Sequence, residues 1–344
     1  MMADTRGPRD AQPTLRDVAE RAEVSAMTVS RVLRDDPKVA PATAARVRTV
    51  IAELGYRRNE MARSLRLGSG TGLVGLVVTN LANPFYSRLA LGVDSVLAQH
   101  GLKSVIGNTG QDLDSERSLV QDLVARRVDG IIAVPADADQ RHLAAAAAEG
   151  VPVVLASRPP SDFAADCVLV DDYGGARSAT ERLLAAGHRR IGFLGSPPTV
   201  YTSIERLRGY ADALADAGIG AEPAYIRQGQ QQTGEAARAA SELLDLPEPP
   251  TALFCSNNRN TIGAFRAIRR AGTTTALAGF DDFELADALG LPLTIVAYDS
   301  DELGREAGRL LATRIRDGSV RSATRRTVVP TTLVHYGTSG STAH

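Results

Sequence analysis

The chain has 344 residues, 44% apolar and 23% charged, with a formal net charge of −1, which predicts two or three domains with a real core and excludes a disordered or fibrous chain. No run reaches the roughly 18 apolar residues of a membrane span, and the polar opening MMADTRGPRDAQP has no signal-peptide pattern, so neither a membrane partner nor export is expected. Cys167 and Cys255 lie far apart in strand-like runs without zinc spacing, which fits buried thiols in a reducing cytoplasm.

Charge is unevenly spread. Residues 1–70 hold 13 Lys and Arg against 9 Asp and Glu, and the remainder 26 against 31. A basic head on an acidic body suits a head that faces phosphates. Lys38 and Lys103 are the only lysines, a bias that with the abundant alanine points to a GC-rich genome rather than to function.

Residues 1–13 read as a disordered leader. Thr14 is placed to cap a helix to about Arg21, with Asp17 near its positive end and Leu15, Val18, Ala19 and Ala22 on one face. Glu23 and Val24 make a tight connection, and Ser25 caps a second helix that buries Val29, Val32 and Leu33. A third helix starts at Pro41 and ends at Gly55, with Ala44, Val47, Val50, Ile51 and Leu54 apolar. Two short helices, a three-residue turn and a support helix match a helix-turn-helix unit over 14–58. The outward side of the second helix then enters the major groove, with Arg31 set for paired bonds to a guanine edge. Ser25, Thr28 and Ser30 suit phosphates, as do Arg34 and Lys38. Spacing alone leaves a plain three-helix bundle open.

LGSGTG (67–72) marks a linker, with 59–71 as hinge and linker together. Strand-like and helix-like runs then alternate. The predicted strands are 73–78, 103–107, 130–134, 151–156, 167–171, 191–195, 224–227, 251–256, 276–280 and 293–298. The predicted helices are 85–100, 113–127, an alanine-rich one before 151, 175–186, 204–217, 234–244 and 261–271. Such alternation argues for parallel sheets with helices on both faces. Two sheets, at about 72–168 and 170–298, make two lobes. Ligands bind at the carboxyl ends of such strands. Those ends supply Asn83, Phe85, Tyr86, Asn108, Asp137, Ser157, Arg158, Arg206, Gln231, Asn257, Asn258, Asp281 and Tyr298. Aromatic walls with convergent Asn, Asp and Arg suit a polyhydroxyl solute, and two arginines also suit an acidic sugar or another anion. For each residue, a surface or cap role is the competing reading. No G-x-G-x-x-G or G-x-x-x-x-G-K-[ST] occurs, so a phosphate-cradling nucleotide cofactor is unsupported. The five histidines are scattered, no catalytic or metal-ligand grouping stands out, and no enzyme activity or cofactor is expected.

LRDVAERAEVSAMTVSRVL and ELGYRRNEMARSL together resemble the LacI/GalR (lac repressor) family of bacterial transcription regulators, and the resemblance extends over nearly all of the remaining chain. It implies a body like periplasmic binding proteins. The chain recrosses at about Asp299, so the first lobe comprises 72–168 plus 299–324 and the second 169–298 plus 325–336, with a flexible tail at 337–344. It implies that Asn59–Arg66 is a hinge helix that folds on the operator. Leu65 then wedges a central base step from the minor groove, with Ala62 beside it, and Tyr56 and Asn59 belong to the same DNA-binding block. It places Arg206, Asn257 and Asp281 at frequent effector positions, and Phe85, Tyr86, Arg158 and Gln231 at more variable ones. There are departures. Ala40 replaces a common serine cap. Ala26 and Met27, the two specificity positions, are apolar and suit thymine methyls. Asn257-Asn258 replaces an Asn-Asp pair, Tyr298 replaces a glutamine, and RAGTTT lacks the usual Val-Pro-x-Asp.

The expected protein is therefore a cytoplasmic homodimer that binds a palindromic double-stranded operator and responds to a sugar or related metabolite. Because the tail lacks leucine heptads, a dimer is favoured over a tetramer. The competing readings are a solute-binding receptor without a DNA role and a sugar-modifying enzyme fused to a DNA-binding head.

Overall fold

The computed structural model describes residues 13–56, 70–318 and 323–337. The expected leader (apart from Pro13), the hinge helix with Asn59, Ala62 and Leu65, and the tail beyond 337 lie outside the described residues. The chain divides into two units, 1–71 and 72–344.

The head holds α1 (Leu15–Arg21), α2 (Ala26–Val32) and α3 (Pro41–Leu54). Each end has a local cause. Thr14 and Asp17 form a reciprocal capping box, with Thr14 N donating to the Asp17 carboxylate at 2.6 Å. Ser25 Oγ accepts from Thr28 N at 3.1 Å and starts α2. The turn between α1 and α2 needs Glu23 at φ 50. Pro41 opens α3 without a side-chain cap at Ala40, and Gly55 closes it at φ 62. Val18, Ala22, Val29 and Val47 are fully buried and form the centre of this small core.

The body holds two six-stranded sheets. The first, in order β11-β5-β4-β3-β1-β2, is built from β1 (Leu73–Val78), β2 (Lys103–Asn108), β3 (Gly130–Ala133), β4 (Val153–Ala156), β5 (Asp166–Val170) and β11 (Arg326–Val329). The second, in order β12-β10-β9-β8-β6-β7, is built from β6 (Ile191–Gly195), β7 (Ile226–Gln228), β8 (Ala252–Cys255), β9 (Ala276–Phe280), β10 (Leu293–Ala297) and β12 (Thr332–Tyr336). The central strands are apolar and buried on both faces, as a parallel sheet wrapped by helices requires. Helices α4 (Pro84–Leu97), α5 (Leu113–Ala125), α6 (Arg141–Ala148) and α11 (Ser300–Asp317) pack on the first sheet. Helices α7 (Asp172–Ala185), α8 (Tyr201–Asp216), α9 (Thr233–Leu244) and α10 (Asn258–Ala271) pack on the second.

The structure corrects two sequence expectations. Residues 325–336 do not all belong to the second lobe. β11 pairs in parallel with β5 of the first sheet, and only β12 joins the second, antiparallel to β10. The cause is Asp166, whose nearly buried carboxylate takes Arg314 Nε and Nη2 at 2.8 and 2.7 Å and Arg325 N at 2.8 Å, fixing the chain beside β5. The chain therefore passes between lobes three times, after β5, β10 and β11. Second, α7, α8 and α10 each begin three residues before the predicted starts. The Asp171 and Asn257 side chains cap Gly174 N and Asn260 N at 2.9 Å, so α7 and α10 tolerate poor helix formers in their first turns.

Three helix pairs meet at glycines. A Cβ on Gly92 of α4 would overlap the Asp301 carbonyl of α11, and one on Gly304 would overlap the Leu89 carbonyl. Gly209 of α8 abuts Tyr173, and Gly263 of α10 abuts Thr233 and Ala236. Close-packed helices cannot absorb an added methyl without shifting backbone. Gly92→Ala and Gly304→Ala should therefore each destabilise the body by about 1–3 kcal/mol. Gly220→Ala, where a Cβ meets open space, should stay within about 0.5 kcal/mol. Urea unfolding measures all three, and a neutral Gly304→Ala would contradict the close approach.

Candidate ligand cleft and nucleic-acid interface

A cleft opens between the two lobes at the carboxyl ends of their strands. The sequence-derived residues Phe85, Tyr86, Arg158, Arg206, Gln231, Asn257, Asp281 and Tyr298 all line it, as do Asn83 and Ser157. Asn108 and Asp137 do not. Asn108 Oδ1 is taken by Leu81 N at 3.0 Å, and Asp137 Oδ1 by Asp139 N at 3.0 Å, so both serve loop turns. Of the expected effector set, Asn108 is thus not among the residues that line the cleft.

Arg206 is the hub of the second lobe's wall. Its Nε donates to Asp172 Oδ1 at 2.7 Å, and Nη2 lies 3.3 Å from Asp281 Oδ1. Nη1 donates to the Ser256 carbonyl, and the guanidinium lies over the Phe280 ring, 3.6 Å from its centroid. Burial works against the guanidinium's charge, but Asp281 and Asp172 outweigh it and hold the group protonated. Tyr298, the replacement for a family glutamine, donates to Asp281 Oδ1 at 3.0 Å. Burial, with the Asp281 carboxylate, pushes its phenol well above the ordinary value, so it stays a neutral donor. Phe85 packs edge-on against Tyr86 and Tyr298, with centroids at 4.9 and 6.3 Å. Asp281 and Ser157 hold left-handed backbone at φ 67 and 64 beside the cleft, where strain of about 1 kcal/mol or more is kept by the surrounding packing.

Among the described residues, two hydrogen bonds join the lobes across the cleft. Asn258 Nδ2 donates to Asn83 Oδ1 at 3.0 Å, and Arg259 Nη2 to Asn80 Oδ1 at 3.3 Å. The aspartate that the family pattern places at 258 has no N–H to donate. Asn257 caps α10 and also donates to Ser196 Oγ at 2.8 Å.

Sequence reasoning missed Asp172, Arg259 and Gln230. Asp172 reads locally as the second aspartate of a Val-Asp-Asp helix start, and nothing along the chain announces its partner 34 positions later. Arg259 falls inside the residues not predicted as helix. Gln230 lies two residues beyond the end of β7, in the turn that sequence reasoning left unassigned.

In the head, Ser25, Ala26, Met27, Arg31 and Arg34 are exposed, and Met27 is 60% exposed despite being apolar. Ser30 and Thr28 are half-buried, and the Thr28 hydroxyl lies 2.9 Å from Ser25 Oγ. Arg31 is held only loosely, with Nε 3.9 Å from Asp36, while Arg34 Nε bonds the Ser30 carbonyl at 3.1 Å. Thr14 is engaged by its capping box, and Tyr56 packs half-buried against the head core rather than standing out with the α2 side chains.

Asp172 is almost fully buried. Burial raises its carboxyl to about 6, against the pull of Arg206, and its Oδ2 finds no hydrogen-bond partner among the described residues. A carboxyl raised above its unfolded value of 3.8 stabilises the fold most when protonated, and that contribution is lost as pH rises through about 6. Asp172→Asn removes this titration. Between pH 7 and pH 4.5 the wild-type body should gain stability relative to the variant, read by denaturant unfolding at each pH. The opposite trend would mean that Arg206 holds Asp172 charged throughout.

Comparison with known proteins agrees with this geometry. Residues 14–59 match the family described as bacterial regulatory proteins, lacI family, and residues 71–336 match the periplasmic binding proteins and sugar binding domain of the LacI family. The chain is 31% identical over 328 residues to the HTH-type transcriptional repressor CytR of Escherichia coli K12, covering 92% of this chain and 94% of that one. It is 34% identical over 318 residues to the regulator CelR of Thermobifida fusca, covering 89% and 93%. A lac repressor dimer bound to operator and the anti-inducer ONPF aligns at TM-score 0.79 and 27% identity, over 94% of this chain and 98% of that one. With an exposed recognition helix in its head and a ligand cleft in its body, the chain belongs to the LacI family and is a DNA-binding transcriptional regulator that responds to a ligand.

Proposed function

We propose that the protein is a cytoplasmic repressor that binds a palindromic operator as a homodimer, one head per half-site, with a small polar metabolite as effector and no catalytic role. The observation that carries this reading is the division of labour on α2. Val29 and Val32 are buried, while Ala26, Met27 and Arg31 face outward, Arg31 with only a loose contact to Asp36. Arg31 reads a G·C pair, and Ala26 and Met27 meet thymine methyl groups. The lac repressor structure, a dimer on its operator, supplies the precedent for the assembly. In the cleft, Asn257, Gln231 and the aromatic wall of Phe85, Tyr86 and Tyr298 suit a polyhydroxyl solute. Ligand and operator affinities are then linked by a coupling of about 1–3 kcal/mol that acts equally in both directions.

Selection of bound sequences from a random DNA pool by the purified protein tests the reading, with and without a pool of sugars and metabolites. A palindromic site is expected. Arg31→Ala should weaken binding by about 1–3 kcal/mol per half-site and relax the preference at one position. Enrichment of no sequence under either condition would overturn the operator reading, and an unchanged Arg31→Ala profile would overturn the docking of α2.

A further inference from the structure

We propose that the effector is an anion, a polyhydroxyl solute carrying a phosphate or carboxylate, and that its charged group is received by Arg158. This rests on the cleft being the effector site and names the chemistry of what enters it.

Of the cleft arginines, Arg206 is not free to bind a ligand. Asp172 and Asp281 balance its charge, the Ser256 carbonyl takes one donor, and Phe280 covers its face. Asp281 is similarly occupied, by Arg206 and the Tyr298 hydroxyl. A ligand anion therefore finds the charge of Arg206 already balanced by two carboxylates.

Arg158 is the opposite case. It is only 7% exposed, yet among the described residues no carboxylate lies within ion-pairing distance of it. Its hydrogen bond is from Nη1 to the neutral Pro135 carbonyl. Five N–H donors in a fixed fork are thus met by one protein acceptor, at a site that lines the cleft. A charge taken out of water without a counter-ion is costly, and the planar fork matches a phosphate or carboxylate edge with two parallel bonds. Ser157, the residue before it, is held left-handed at φ 64 at the end of β4, so the position of Arg158 is built into the loop rather than left to a mobile surface chain.

The surroundings have the same sign. Arg206 is balanced by Asp172 and Asp281, so among the described lining residues the cations without a carboxylate partner are Arg158 and Arg259, and the lining holds no Glu, Lys or His. Among the described residues, half-buried Arg259 bonds only amide and carbonyl oxygens, those of Gln231, Gln232 and Asn80. This positive cleft sits in a body with 26 basic and 31 acidic residues over 71–344, so its sign is local and does not follow from the overall charge. A low-dielectric cleft of one sign concentrates ligands of the other.

The test uses the full-length protein at constant ionic strength. Thermal melting and calorimetric titration are run with inorganic phosphate and citrate against sodium chloride. Glucose 6-phosphate is then compared with glucose, and gluconate with sorbitol. At least one anion should stabilise the protein saturably, and each anion that binds should bind at least tenfold tighter than its neutral parent. A preference for the phosphate or the carboxylate pairs identifies which group the effector carries. Arg158→Met should lower anion affinity at least tenfold, and Arg158→Lys should recover part of it. The wild-type comparison of charged and neutral ligands stands even if Arg158→Met does not fold. The proposal is overturned if phosphate, citrate and the sugar anions all act no differently from chloride. It is equally overturned if neutral parents bind as well as their anions, or if folded Arg158→Met binds like wild type. An operator selected in the DNA experiment alongside any of these results would leave the repressor reading intact with a neutral effector.

Discussion

The body depends on one buried ionic cluster, Arg206 between Asp172 and Asp281. It joins three places distant in sequence: the start of α7 just after the first lobe crossing, the wall helix α8, and the end of β9. Such clusters add little net stability over an apolar replacement, yet breaking one by removing a partner costs about 3–5 kcal/mol, because a charge is left buried. Its value here is positional. Asp172 lies immediately after the chain leaves β5, so its bond to Arg206 fixes where the crossing strand delivers α7. Asp281 holds Tyr298, which immediately precedes the second crossing. The cleft floor and two of the three crossings are thus set by one guanidinium.

Around that hub the lobes are stiff. Glycines at the α4/α11, α7/α8 and α9/α10 contacts let backbones approach to a distance no side chain permits, and interiors packed in this way move as bodies rather than deforming. Between the lobes the joins are lighter: the Asn258–Asn83 and Arg259–Asn80 bonds, and the edge-on ring contact of Phe85 with Tyr298. Stiff lobes with few exchangeable links across a cleft are the mechanical basis for opening and closing around a ligand.

Most of this architecture could be read in the sequence because its causes are local. Thr14, Ser25, Pro41 and Gly55 mark helix ends by their own chemistry, and apolar runs such as LVGLVV announce strands buried on both faces. What escaped has non-local causes. β11 was assigned to the wrong lobe because the reason for its place, Asp166 with Arg314 and Arg325, spans about 150 residues. Asn108 was counted as a ligand contact because strand-end position says where a side chain starts, not that a neighbouring backbone N–H will claim it. Asp172 was missed for the converse reason, since its role exists only through a partner on another helix. Along the chain Arg206 stood at a frequent effector position of the family and Arg158 at a more variable one, with nothing to say how either charge is met. Only the fold separates the arginine whose charge is balanced internally from the one whose charge is not.

That distinction bears on how a signal can be carried. A ligand shifts an equilibrium only by interacting differently with the two states. The cross-lobe hydrogen bonds join neutral groups or a charged donor to an amide, and each contributes about 1 kcal/mol net. Two of them sum to the size of a typical coupling energy. An effector therefore need not reorganise the core to be felt. It needs only to make the closed arrangement of Asn80, Asn83, Asn258 and Arg259 slightly better or slightly worse. The ionic hub at Arg206 is too costly to break on that scale, so the wall stays fixed while the clasp responds.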